Sequence, residues 1–169
     1  MKGDNKMKKI KLLSIVVVLL GGLFLLSGCG QKELTGSLEE IMNDLNEYVF
    51  KGYGDDEKPM LMNMDVLEMA PDNIEYYIGT TDIEYEEIYA SEPMMGSQAY
   101  SVVLVKMKDG SDIEAAKQKI LDTVNPRKWV CVEVPKEDVI VKNRGNVIIL
   151  IMVADETFRE KLDKGFDKI

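Results

Sequence analysis

Seven consecutive apolar residues decide the fold of this chain: Val147-Ile148-Ile149-Leu150-Ile151-Met152-Val153. A short run that is rich in β-branched residues and apolar on both faces is typical of a strand in the interior of a sheet. Asn143-Arg144-Gly145-Asn146 precedes the run and has the composition of a tight turn. We therefore predict a central strand that is covered on both sides, and the rest of the chain must supply its neighbours.

Further strands are predicted where β-branched and aromatic residues alternate with polar ones. Moving outward from the central run, these segments are residues 139–141, 129–134, 99–107 and 83–90, and residues 93–97 form the turn between the last two. Residues 53–81 contain turn-forming stretches and mixed signals, so no element is predicted there.

Three helices are predicted from their first residues and their apolar faces. Ser37 begins a capping box, and the amphipathic segment behind it ends near Gly52. A second capping box begins at Ser111, and its helix must end before Pro126. Asp155 begins the third helix. The elements predict an α+β fold of two layers, a mainly antiparallel sheet with helices packed on it.

The amino terminus has the pattern of an export and lipidation signal. Five lysines and one aspartate in the first 11 residues are followed by 15 uncharged residues, Leu12–Leu26, a length that suits a secretory signal rather than a spanning helix. Leu26-Ser27-Gly28-Cys29 then resembles a bacterial lipobox, in which the thiol receives a diacylglyceryl group. The alternative is an uncleaved anchor with an incidental cysteine. Translation can begin at Met1 or at Met7 with the same mature protein.

These signals divide the chain into three parts. Residues 1–28 are predicted to be a lipoprotein signal peptide, residues 29–36 the lipidated cysteine and a short tether, and residues 37–169 a single domain. Several acyl chains on Cys29 would hold the domain stably on the outer face of the cytoplasmic membrane. The predicted location is thus the cell membrane, facing outside the cytoplasm, with the membrane itself as the first partner.

Composition excludes several functions. From Cys29 onward the chain has 16 basic and 29 acidic residues, a formal charge of −13, which argues against binding nucleic acid. The sequence contains no histidine, so the commonest general base and the commonest transition-metal ligand are both missing. A hydrolase would need a Ser-Lys dyad or two carboxylates, and neither has a recognisable spacing. We expect no enzymatic activity and no cofactor.

Once Cys29 is acylated, Cys131 is the only thiol left, so no internal disulfide is expected. Because Cys131 falls within the predicted strand at residues 129–134, it is expected to be buried and inert.

Two short segments are candidates for an interaction surface. The loop around Met94 and Met95, followed by Tyr100, has the adaptable side chains of a protein contact. Arg127 and Trp129 combine a cation with an aromatic ring, as interface hot spots do. The alternatives are a turn whose methionines fold back onto the core and a tryptophan that belongs to the core.

Two weaker candidates concern metal ions. Met60, Met62 and Met64 recur with a period of two and would offer soft sulfur ligands to Cu(I), although methionine is also a common core filler. Residues 55–57 and 84–87 are rich in carboxylates of the kind that bind Ca²⁺, but their spacing matches no known loop and a solvated face is the alternative.

Part of the mature sequence is similar to a known family. Glu92–Tyr100, Ser101–Lys106, Val124–Trp129 and Val139–Ile149 together resemble a family of bacterial lipoproteins known as domain of unknown function 4358. The resemblance extends from about Leu38 to Phe166. It implies an acyl-anchored domain outside the membrane with no assigned chemistry, so no catalytic residue can be carried over.

The expected function is that of a membrane-anchored, non-enzymatic binding or accessory module that serves an envelope or surface protein. The alternative is a lipoprotein that binds a small ligand or a metal ion, Cu(I) or Ca²⁺.

Overall fold

The computed structural model describes residues 34–169, so the predicted lipid attachment at Cys29 lies outside the described residues. The strands are β1 (Leu61–Asp65), β2 (Tyr85–Pro93), β3 (Tyr100–Met107), β4 (Ile140–Arg144) and β5 (Val147–Val153). The helices are α1 (Leu38–Phe50), α2 (Val66–Met69), α3 (Ile74–Ile78), α4 (Ile113–Thr123) and α5 (Glu156–Phe166). Two 3₁₀ turns lie at Pro71–Asn73 and Lys136–Asp138. No helix in this part of the chain has the length and apolar character required to cross a membrane.

The strands form one antiparallel sheet in the order β1-β2-β3-β5-β4. β5 lies inside the sheet between β3 and β4, and each of its seven residues is buried. The turn before it contains Gly145, whose φ of +56° lies in the left-handed region. The prediction of a covered interior strand at residues 147–153 is therefore confirmed.

Helices cover both faces of the sheet. Alternate residues of a strand point to opposite faces, so β3 and β5 contribute to two separate cores. On one face the core includes Leu45, Leu104, Ile149 and Phe166, beneath α1 and α5. On the other it includes Ile78, Val103, Ile120, Trp129 and Leu150, beneath α3, α4 and the loop at residues 124–134. The α+β fold with helices packed on an antiparallel sheet is confirmed, and helices on both faces give it three layers.

A short polar side chain caps the amino-terminal end of each of the three longer helices, α1, α4 and α5. Ser37 caps α1 with the full capping box, in which the Glu40 side chain accepts a hydrogen bond from the Ser37 N–H at 2.9 Å. Asp155 caps α5 as predicted. At α4 the cap is Asp112 rather than the predicted Ser111, because the Asp112 carboxylate accepts from the Ala115 N–H.

Two segments differ from the prediction. Residues 129–134 form a loop rather than a strand, held by a hydrogen bond from the Val134 N–H to the Pro126 carbonyl at 2.9 Å. Within it Cys131 is exposed and has a φ of +62°, so the expectation of a buried thiol in a strand is wrong. The fifth strand is instead β1, which lies in the region where no element was predicted.

The sheet has one end at which the site described below is assembled. At this hairpin end β2 finishes, β3 begins at Tyr100, and β5 finishes opposite it at Val153. Phe50, the last residue of α1, packs on Phe158 of α5 with 5.4 Å between ring centroids, so α1 ends there too. α1 contacts β1, β2 and β3 as well as α5, so it crosses the sheet, and the Asn63 amide of β1 donates to Asn43 of α1 at 3.5 Å.

Candidate functional site

Four exposed methionines gather at the hairpin end, and we call them the methionine surface: Met60, Met62, Met94 and Met95. The Met94 N–H donates to the Met60 carbonyl at 3.1 Å, which continues the β1–β2 pairing past Pro93. Met94 and Met95 are 65% and 64% exposed, Met60 is 70% exposed and Met62 is 44% exposed. These apolar side chains lie in solvent although a core is available on either face of the sheet.

A neighbouring loop extends this surface. The Val130 N–H donates to the Gly96 carbonyl at 2.8 Å, so the loop at residues 124–134 lies directly against the hairpin that carries Met94 and Met95. Val130 is 69% exposed, and Cys131 beside it is exposed as well. The contact joins two segments that are more than 30 residues apart in the chain into one surface.

A buried lysine positions this loop. The Lys128 side chain is 2% exposed, and its Nζ lies 2.5 Å from Oε1 of Glu92, which is itself 9% exposed. Nζ also donates to Ser101 Oγ at 3.1 Å and to the Tyr76 carbonyl at 3.3 Å. Ser101 Oγ in turn donates to Glu92 Oε1 at 2.6 Å. The three ammonium protons thus have three acceptors, as a buried lysine requires.

Aromatic rings complete the surroundings of this lysine. Nζ lies 4.3 Å from the centroid of the Tyr76 ring, 5.4 Å from that of Tyr77 and 5.6 Å from that of Trp129. Burial lowers the pKa of the Lys128 ammonium, and the charge of Glu92 opposes that change. Burial, followed by the negative charge of Glu92, raises the pKa of the Tyr76 hydroxyl to about 12.

The register of the sheet explains why these groups meet. Glu92 and Ser101 face each other across β2 and β3, one residue beyond the Ser91–Val102 pair, and Met62 is the partner of Glu92 on β1. Residues that are directly opposite in a sheet share one face. The buried ion pair and the exposed Met62 therefore belong to the same row of side chains.

The cluster brings a serine and a lysine together, but their contacts indicate a positioning role. Ser101 has no exposed area, and its hydroxyl proton is directed to Glu92. Lys128 is ion-paired, whereas a general base would have to be neutral. Sequence reasoning missed this cluster, and the signal that would have revealed it is two polar residues, Glu92 and Ser101, at facing positions of neighbouring strands.

Some of the predicted interaction residues are exposed and others are buried. Met94 and Met95 are exposed as an interaction surface requires. Tyr100 and Trp129 are buried, which corrects their assignment to a surface. Arg127 is exposed and forms an ion pair with Glu133 at 2.6 Å, within its own loop. Tyr100 belongs to the core beneath α1 and α5, and Trp129 belongs to the core on the other face, where each ring removes a large apolar area from water.

The predicted metal ligands are not gathered into a site. Met64 is buried, and its sulfur accepts a hydrogen bond from the Tyr77 hydroxyl at 3.3 Å. Met60 and Met62 are exposed, so the three sulfurs do not share one site. Asp55 pairs with Lys58, and Glu86 pairs with Lys106. Among residues 34–169, no three acidic or cysteine side chains come together in a way that could hold a metal ion.

Comparison with known proteins adds no functional assignment. No family model matches the chain. No curated protein and no solved structure matches it either. The resemblance to bacterial lipoproteins therefore stays a prediction from the segments quoted above.

Proposed function

We propose that this protein is a lipid-anchored module on the outer face of the cytoplasmic membrane, a member of the lipoprotein family that its sequence resembles. It binds a protein partner through the methionine surface and catalyses no reaction. The observation that carries this proposal is the set of four methionines left in solvent at one end of a well-packed domain.

The chemistry of the surface supports a protein partner. Methionine side chains are flexible and polarisable, so a group of them adapts to apolar and aromatic surfaces of different shape. β1 is an edge strand, and its outward N–H and C=O groups have no strand partner within residues 34–169. A partner can add an extended segment at this edge and place apolar side chains on Met60 and Met62.

The position of the surface fits the predicted anchor. The seven residues between Cys29 and Ser37 reach at most about 25 Å, so acylation of Cys29 would hold the domain close to the lipid. Asn43 of α1 contacts Asn63 of β1, whose side chain points to the face opposite to that of Met62. A partner can therefore reach Met62 from the face of the sheet that α1 does not cover.

The buried lysine cluster supplies rigidity to the proposed interface. Lys128 fixes the loop at residues 124–134 against the sheet, and that loop holds the hairpin through the bond from Val130 to Gly96. A surface that is already positioned loses less conformational entropy when a partner binds.

Site-directed photocrosslinking in cells that produce the full chain tests the proposal. A photoreactive phenylalanine analogue replaces Met95, and a second variant carries it at Glu114. The Glu114 side chain is 82% exposed and lies at the start of α4, which follows the end of β3 opposite to the hairpin end. We expect one defined protein adduct from position 95 and none from position 114. Met60→Gln together with Met94→Gln should abolish the adduct, because amides replace the apolar thioethers.

The proposal fails if both positions give the same adducts, or if the double variant crosslinks as efficiently as the parent. It also fails if position 95 gives no adduct while the purified chain converts a small substrate.

A further inference from the structure

A cavity of about 330 Å³ opens at the hairpin end on the face covered by α1 and α5. It lies apart from the Lys128 cluster, which is on the other face of the sheet. The volume is in the range of pockets that hold small ligands. The wall is formed by the loop after α1, the start of β3 with the two residues before it, and the junction of β5 with α5. This wall includes Asp56, Glu57, Lys58, Tyr100, Asp155 and Phe158.

The inner wall is apolar. Tyr100 and Val153 belong to the core on this face, and Phe158 packs against the same core. The Tyr100 hydroxyl is buried and has no hydrogen-bond partner among the described residues. Aromatic and aliphatic groups of this kind hold the apolar body of a ligand and exclude water from it.

The outer wall is acidic. Three carboxylates and one ammonium group line the cavity, and Lys58 directs its ammonium to Asp55, outside the cavity, at 3.1 Å. Glu57 accepts from the Gly54 N–H and Asp155 from the Phe158 N–H, and these hydrogen bonds hold both carboxylates in place. Asp56 is exposed and makes no hydrogen bond or ion pair within the described residues. The lining of the cavity therefore carries more negative than positive charge, three carboxylates against one ammonium group.

We propose that this cavity binds a small organic cation, an ammonium group carried on an apolar body such as a phenylalkyl chain. The ammonium lies at Asp56, and the body lies against Tyr100 and Phe158. An anion of the same shape is repelled, and a neutral analogue loses the attraction to the carboxylates. This inference is independent of the methionine surface, so either proposal can fail without the other.

Titration of the purified full chain in detergent with phenethylamine tests the proposal by NMR. We expect saturable shifts of the Ala99, Tyr100 and Ala154 amide signals. Because 2-phenylethanol has the same body without the charge, it should bind about ten-fold more weakly. Asp56→Asn should weaken phenethylamine binding about five-fold. Asp109→Asn, an equal change of charge at an exposed turn outside the cavity, should leave binding unchanged.

Three results would overturn the proposal: no saturable shift with phenethylamine, equal affinity for the alcohol, or equal affinity in the Asp56→Asn and Asp109→Asn variants. Unchanged signals elsewhere in each variant would show that the fold is intact, so a loss of binding can be assigned to the cavity.

Discussion

Lys128 is a cation in an acidic chain, yet its side chain is enclosed by Glu92, Ser101 and two tyrosines. Removing two charges from water is costly, and a buried pair of this kind stabilises a fold little compared with a well-packed apolar pair. What the pair contributes is position, because Lys128 reaches acceptors on β2, β3 and α3 from the loop at residues 124–134. Once the pair is present, however, losing one member leaves the other buried and unpaired.

We predict that Lys128→Met lowers the free energy of unfolding by about 3 kcal/mol, because Glu92 is left as an unpaired buried charge. Urea denaturation of the full chain in detergent measures the change. The double variant Lys128→Met/Glu92→Leu should recover most of the loss, since it removes both charges.

Lys106→Met is the matched control, because Lys106 forms an ion pair with Glu86 in which both side chains are at least 40% exposed. Exposed pairs contribute less than about 1 kcal/mol. If Lys128→Met costs no more than Lys106→Met, then the Lys128 pair is not closed to water and the positioning role assigned to it is wrong.

At the scale of single elements, the short helix α3 packs on the face of the sheet that contains Lys128. α3 ends at Gly79, whose φ of +80° is in the left-handed region. A Cβ at Gly79 would lie 2.4 Å from the Val124 backbone nitrogen, because α3 packs there against the end of α4. That contact places Tyr76 and Tyr77 next to the loop that carries Lys128.

We predict that Gly79→Ala destabilises the protein by about 3 kcal/mol or more, because steric overlap with the α4 backbone adds to the strain of a left-handed alanine. Gly52→Ala is the control, since Gly52 has a φ of +86° but no atom within 4 Å of the added Cβ. It should cost only about 1 kcal/mol. Thermal unfolding measures both, and equal costs would show that close packing at Gly79 is not what requires glycine.

At the scale of the whole molecule, both proposed binding surfaces lie at one end of the sheet. The methionine surface and the acidic cavity both lie at the hairpin end, but on features that belong to opposite faces. α1 covers the face of the sheet that holds the cavity, and Met62 projects from the other face. A partner at the methionine surface and a ligand in the cavity would therefore approach the domain from different faces.

We predict that Cys131 reacts with a polymer-linked maleimide of about 5 kDa when the full chain is anchored in intact cells, because the thiol is exposed beside the methionine surface. Gel mobility should show one added polymer per chain, since an acylated Cys29 cannot react. Cys131→Ser provides the background. Labelling only after unfolding would contradict the exposed position of Cys131, and labelling of Cys131→Ser would show that Cys29 carries no lipid.

The sequence alone determined the covered strand at residues 147–153, the α+β class and the helix starts at Ser37 and Asp155. It also carries the lipobox prediction. Each of these depends on residues that are neighbours in the chain. Tertiary structure alone decided that β1 joins the sheet, that residues 129–134 form a loop and that Glu92, Ser101 and Lys128 meet. Those features depend on pairing register and on contacts between segments far apart in the chain, and hydrophobic periodicity along one segment carries no information about either. Composition also could not predict that Met94 is exposed and Trp129 is buried. Both residues are apolar, and only the packing of the folded chain places one in solvent and the other in the core.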